Sequence, residues 1–312
     1  HALSVSDIPI TELKPEYSSE RDNAYVYARF NYPVDLTWTV GLSYDGFQQA
    51  EYDLYQFNPK FGLQWNILDG TRLRFAAFQT TKPALAVEQT LEPTQIAGFN
   101  QFYDDINGTK AQHYSIGFDT RLSEKTFEGI EMTYRGLDVP IFEPKETTIS
   151  LKRIEGQKEN LYRAYFYWLP NSNSSFSAEY EFEGFECESN CGITENSARL
   201  TQLKTTVLPL SAQYFDPSGF FAALRGSYVH QDLEKRKLKG DDRISQDEAD
   251  FFVLDSAIGY RLPKRRGILS FEVRNLLDRK FSFQDLNFQT SEARNPRFIP
   301  DRLFFLQASL NF

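Results

Sequence analysis

Apolar and polar residues alternate with period 2 through most of this chain, and the pattern is clearest at its end. In the run from Arg302 to Phe312, Phe304, Leu306, Ala308, Leu310 and Phe312 fall on one face of a strand. Leu303, Phe305, Gln307, Ser309 and Asn311 fall on the other, which turns polar toward the terminus. Thirteen segments read as strands: 23–32, 36–47, 56–66, 71–79, 111–122, 128–137, 159–169, 174–186, 197–214, 219–231, 250–262, 267–280 and 302–312. In the second, Leu36, Trp38, Val40, Leu42 and Tyr44 oppose Thr37, Thr39, Gly41, Ser43 and Asp45. In the eighth, Phe176, Ala178, Tyr180 and Phe182 oppose Ser177, Glu179, Glu181 and Glu183. Lengths near ten residues match the ~9–11 that a tilted strand needs to cross a bilayer.

The connections alternate too. Tyr32–Asp35, Asn66–Gly70, Pro170–Ser174, Asp216–Gly219 and Pro263–Gly267 are short and rich in turn formers. The other set, 80–110, 138–158, 187–196, 232–249 and 281–301, is generally long and polar. That alternation predicts an all-β, antiparallel transmembrane β-barrel of about 14 strands, with short periplasmic turns and long extracellular loops. Residues 1–22 are expected to form an N-terminal segment or lead-in loop and 23–312 the barrel. Thirteen is odd for a single-chain barrel, so either Leu3–Leu13 adds a strand, or 143–154 divides differently, or the chain is the C-terminal part of a larger barrel. Thr147–Lys152 alternates enough to extend a strand into its loop. Counting back from a periplasmic Phe312, the candidate assembly signal, sends every long loop outside.

Composition narrows the picture. The 312 residues include 28 Phe and 17 Tyr, an enrichment that favours strands. No stretch approaches the ~18 apolar residues of a membrane helix. Net charge is −9 with no concentrated basic segment, so nucleic acid is not an expected partner. The start, His1-Ala-Leu-Ser-Val-Ser, has neither the basic nor the apolar region of a signal peptide, so the chain is mature or a piece of a longer one. Cys187 and Cys191 lie in a polar acidic run, as expected of a disulfide stapling a loop in an oxidising compartment. No further Cys or His stands near them to make a metal site.

Candidate functional residues are the charges expected to face inward. Along the first half these are Arg72, Arg74, Asp119, Arg121, Glu131, Arg135 and Arg163. Further on come Glu179, Glu181, Glu183, Arg225, Asp255, Arg261, Glu272 and Arg274. Together they suit a wetted lumen whose charge pattern tunes what passes. Singly, each also suits a cross-strand ion pair that stiffens the wall. The three glutamates in a row need cations or facing arginines to offset their repulsion. Trp38, Tyr44, Trp65, Tyr162, Trp168, Tyr214, Tyr228 and Tyr260 fall near strand ends, as interfacial girdles do. In the 80–110 loop, Phe99, Phe102 and Tyr103 stand beside Asp104 and Asp105 and could constrict the lumen, although a packed external loop is the simpler expectation. The histidines are His1, His113 and His230; they complete no Ser/His constellation and no metal-spaced cluster, so neither an enzyme nor a cofactor is expected.

Several segments resemble one family. Val273-Arg-Asn-Leu-Leu-Asp-Arg-Lys-Phe281 resembles the element before the final strand of TonB-dependent outer-membrane receptors. Arg294-Asn-Pro-Arg297 and a last strand ending in Phe follow in the same order. Phe57-Asn-Pro-Lys-Phe-Gly-Leu-Gln-Trp65, Gly70–Phe78 and Leu91-Glu-Pro-Thr94 resemble their earlier strand pair and the loop after it. The motifs span most of 57–312. The chain departs from the family in showing no plug domain and no TonB box, and in being too short for a 22-stranded receptor barrel. A receptor-like barrel closing a helical-repeat exporter shares these features. The resemblance implies an outer-membrane transport protein passing a solute or polymer; the alternative is a docking barrel with a closed lumen inside an envelope complex. Expected partners are outer-membrane lipid and lipopolysaccharide, the barrel assembly machinery and, for the docking alternative, other envelope proteins.

Overall fold

The computed structural model describes residues 19–49, 52–82, 92–144, 149–187, 199–236, 244–284 and 297–310. Its strands are β1 (Ser19–Asn31), β2 (Leu36–Gln49), β3 (Tyr52–Leu68), β4 (Thr71–Thr81), β5 (Gln95–Ile96), β6 (Phe99–Asn100), β7 (Lys110–Ser123) and β8 (Thr126–Pro144). After them come β9 (Ile149–Asn171), β10 (Ser174–Cys187), β11 (Arg199–Phe215), β12 (Phe220–Arg236), β13 (Ile244–Leu262), β14 (Gly267–Arg274) and β15 (Leu303–Leu310). Apart from the small β5–β6 ribbon, they form one 13-stranded antiparallel sheet in which each strand pairs with its neighbours in chain order. Alternation predicts about 14 strands; the extra candidate, Leu3–Leu13, lies outside the described residues, as does Phe312.

Register separates two faces. On one, Phe30 stacks on Trp38, Trp168 on Phe176 and Phe220 against Tyr260, all close to the short turns. Toward the other end Tyr44 meets Phe57, Tyr114 meets Tyr134 and Tyr162 meets Phe182. Between these bands Val40, Leu42, Ile116, Ile130, Phe166 and Leu210 are exposed. Two aromatic bands flanking an exposed apolar belt are what lipid contact requires of a barrel wall. All eight girdle candidates lie on this outward face, as the pairing of Trp38 with Leu63 and of Tyr260 with Leu269 illustrates.

Two of the expected loops and one expected strand are differently built. Residues 138–158 are chiefly strand where described, because β8 and β9 stay paired from Asp138↔Gly156 to Pro144↔Ile149; of the extension expected at 147–152, residues 149–152 are strand and the first two lie outside the described residues. The 232–249 loop is likewise mostly the β12–β13 ladder, which continues to Arg236↔Ile244. Both runs hold inward apolar residues, Val139, Ile141 and Leu233 among them, that the polar composition of the segments masked. At 23 residues β9 is ~76 Å long, or ~54 Å high at a tilt of ~45°, against a hydrocarbon core of ~30 Å. The wall therefore overshoots the bilayer at its outer end. The third difference is β14, expected to run to 280 but ending at Arg274.

Candidate functional site

Two connections fold back onto the inner face. The first, residues 92–109, carries the β5–β6 ribbon, and its Ile96 and Phe99 are buried against Ala76, Phe78 and Tyr27. The packed external loop is thus not what forms; the segment takes the alternative course and folds inward. Gly62 makes the close approach possible: a Cβ there would stand 2.7 Å from Ile96 Cγ2. Charge ties the same segment down. Glu92 Oε1 lies 3.5 Å from Lys60 Nζ, both side chains almost fully buried. It also accepts the Tyr27 hydroxyl, to which Gln101 Nε2 donates at 3.2 Å. The motifs at 57–65 and 91–94 thus meet each other, one on the wall and one on the loop.

A stack of planar groups extends this join. Phe78 lies 4.5 Å from His113, His113 lies 5.6 Å from Tyr103, and Arg135 Cζ stands 3.8 Å over the Tyr103 ring. Arg135 also donates to Asp105 Oδ2 at 2.5 Å and to Glu159. Burial pushes the Tyr103 hydroxyl up to about 12, against the opposing pull of Arg135, so this loop residue stays neutral. His113 bonds Thr80 Oγ1 at 3.1 Å through Nε2. It is a packing residue inside the stack, away from solvent.

The second infolded connection follows β14. Asn275 turns the chain inward with φ 50°, its backbone N–H donating to Asp255 Oδ1 at 2.8 Å. Its Nδ2 donates to the Arg279 and Ile299 carbonyls and its Oδ1 accepts the Arg279 N–H, so the asparagine of the Val273–Phe281 motif is the knot of the turn. Beyond it, Phe281, Phe283 and Phe298 pack on Val207, Val229, Phe251 and Val253. Asn275→Ala is expected to cost about 2 kcal/mol, from a left-handed backbone without its local bonds. Urea unfolding in detergent measures this, and an unchanged midpoint would contradict the role.

Register places every inward-charge candidate on the same face as the infolded segments. Arg74 donates to Asp119 Oδ2 at 2.6 Å and to Glu131 Oε2 at 3.0 Å. It crosses β7 at Gly117, where a Cβ would stand 2.8 Å from its Nη2. Arg163 pairs with Glu179 at 2.8 Å and Arg274 with Glu272 at 2.6 Å. Arg297 of the second infolded segment donates to Glu181 and, at 3.0 Å, to Glu183. The row of glutamates is therefore offset by two arginines, one of them distant in sequence. Arg72 bonds Asn66, and Arg121 lies 3.8 Å from Asp69. Among the described residues no ion pair involves Arg225 or Arg261.

Below the infolded segments, toward the short turns, the inner face opens into polar cavities. One of about 820 Å³ is lined by Arg72, Asp119, Arg121 and Tyr165. Another of about 360 Å³ is lined by Arg225, Asp255, Glu272, Arg274 and Arg297. Cys187 is disulfide-bonded; Cys191 lies outside the described residues.

Residues 4–134 match the family model described as TonB dependent receptor-like, beta-barrel. No curated protein matches the chain in sequence. Among solved structures, the FrpB iron transporter of Neisseria meningitidis is 15% identical with a TM-score of 0.59, over 85% of this chain and 42% of that one. The ferric-catecholate import receptor Fiu of E. coli K12 is 13% identical with a TM-score of 0.56, over 94% of this chain and 45% of that one. The ferripyoverdine receptor of the Pseudomonas aeruginosa outer membrane is 15% identical with a TM-score of 0.55, over 84% and 35%.

The fold is that of a TonB-dependent receptor barrel. The chain is thus a bacterial outer-membrane barrel, spanning less than half the length of the receptors it resembles. Within this receptor-like barrel the matched region holds Lys60, Glu92 and the Arg74 cluster. Sequence spacing does not bring Lys60 and Glu92 together, nor does it single out Glu159 or Arg297; Asp105 belongs to the loop expected either to constrict the lumen or to pack outside, and its pairing with Arg135 is what the structure adds. The structure also adds Tyr165 and Tyr167, which donate to Asp119 at 2.6 Å and to Glu179 at 2.9 Å. The tyrosines carry a signal in the sequence, since they stand at alternate positions from Arg163 and so share its inward face on β9.

Proposed function

We propose that this receptor-like barrel passes a solute across the outer membrane along its inner face, with the two infolded segments as a constriction and the inward charges lining the path. The observation that carries this reading is the division of that face. Its outer half is occupied by segments fastened by ion pairs and hydrogen bonds beside small apolar clusters, and its periplasmic half opens into polar cavities. A polar fastening can be exchanged for contacts with a ligand or water more readily than a continuous apolar core. The solved structures of like fold, an iron transporter and receptors for ferric catecholates and ferripyoverdine, favour import of an iron-bearing solute over export of a polymer. A closed docking barrel is the second reading, favoured by the aromatic packing of Phe281 face to face on Phe251 at 4.0 Å.

Single-channel conductance of the reconstituted chain, alone and with Glu179, Glu181 and Glu183 replaced by Gln, separates the two. An open path predicts stable conductance that shifts toward anion selectivity in the variant, because Arg163 and Arg297 lose their counter-charges. A folded, inserted barrel that conducts in neither form would favour docking.

A further inference from the structure

Outside the lumen, above the outer aromatic band, the β12–β13 ladder gathers groups that sequence spacing had not brought together. Its register sets His230 opposite Asp250 and Asp232 opposite Glu248. These side chains share the outward face with Tyr228 and Phe252, exposed one row nearer the lipid belt. Two carboxylates directly opposite each other in an antiparallel pair repel, and Asp250 adds a third negative group one row away. The imidazole sits among them, with Nε2 3.4 Å from Asp232 Oδ2 and Nδ1 3.0 Å from Asp250 Oδ1. Asp250 is itself fixed by the Tyr228 hydroxyl, which donates to it at 2.6 Å. One ligand atom from each of His230, Asp232 and Glu248 lies within 4.8 Å of the other two.

We propose that His230, Asp232 and Glu248 bind a divalent transition-metal ion of the Zn²⁺ class, with Asp250 orienting the imidazole. Zinc bonds of ~2.0–2.2 Å to nitrogen and oxygen place tetrahedral ligands ~3.4 Å apart, so the present spread closes by ~1 Å. Side-chain rotation supplies that movement, since all three groups are at least one-third exposed on paired, regular strands. One imidazole nitrogen with two carboxylates suits zinc better than calcium or magnesium, which prefer all-oxygen shells of six or more ligands. A carboxylate on the second ring nitrogen is the usual support of a metal-bound histidine. The ion also neutralises the opposed Asp232–Glu248 pair. Three protein ligands leave a fourth position for water or an oxyanion, at the height of the lipid headgroups.

Titration of the full chain, folded in detergent micelles, with Zn²⁺ and separately with Mg²⁺ by calorimetry tests the site. One Zn²⁺ per chain and no comparable Mg²⁺ uptake is the expected result. His230→Gln and Glu248→Gln should each weaken binding at least tenfold, and Asp250→Asn about tenfold as an orienting residue. Because His1 offers a competing amine and imidazole, His1→Ala should leave the binding intact. X-ray absorption at the zinc edge should report a single imidazole nitrogen among oxygen ligands. Stoichiometric binding that survives both His230→Gln and Glu248→Gln, loss of binding in His1→Ala, or no uptake by the unsubstituted chain overturns the proposal. The two variants lie on different exposed strands, so one remains informative if the other fails to fold.

Discussion

Arg135→Met is expected to destabilise the barrel by about 3–5 kcal/mol, the cost of breaking a buried ion pair from one side. The guanidinium is 2% exposed and serves Glu159 and Asp105 together while covering the Tyr103 ring. Removing it leaves two carboxylates with no counter-charge where water is scarce. The chain has one way to limit that cost: Asp105 sits on the infolded loop, so the segment can leave the wall and carry its charge into water. Urea unfolding followed by tryptophan fluorescence reads the first response, and protease cleavage within 92–109 reads the second. The triple variant Arg135→Met, Glu159→Gln, Asp105→Asn should recover most of the loss, since neutral replacement of a whole buried network is often tolerated. A single variant with unchanged stability and protection would mean that the cluster is wetter than its geometry implies.

Ile130→Arg is expected to cost about 2–4 kcal/mol in lipid, the range for a cation near the bilayer midplane. Ile130 is exposed on the outward face, midway between Trp168, which pairs with Thr126, and Tyr134 of the outer band. Ala223→Arg serves as the comparison, because Ala223 lines a polar cavity on the inner face and should tolerate the charge far better. Folding into vesicles, titrated with urea, gives both values. Equal costs would defeat the assignment of faces.

Facing, the belt and the short turns were legible in the sequence because each follows from period-2 alternation or from local turn chemistry. Strand ends at the outer rim were not. Around Asp138–Gly156 the residues look polar enough for a loop, yet Val139 and Ile141 bury against Ala111 and Leu137, and this tertiary contact keeps the ladder zipped. The inward charges were legible one by one, but their partners were not. Arg297 reaches Glu181 across more than a hundred residues, and no spacing rule anticipates that. His113 illustrates the same limit, since alternation gave its face while its burial depends on a loop folding over it. Lys60 and Glu92 stood in two motifs whose order was visible and whose contact was not.

The pairing order has a consequence in time. Because each strand of the main sheet adds only to the strand beside it in order, the wall can grow strand by strand, and apart from the two infolded connections, β4 to β7 and β14 to β15, each step closes a comparatively short loop of chain. The interior cannot be assembled that way. Glu92 needs Lys60 and Tyr27, Asp105 needs β8, and Arg297 needs β10, so the infolded segments can be fastened only onto walls that already stand. The contacts thus impose an order of dependence: the shell can stand without its furnished interior, but the interior has nothing to hold until the shell is there.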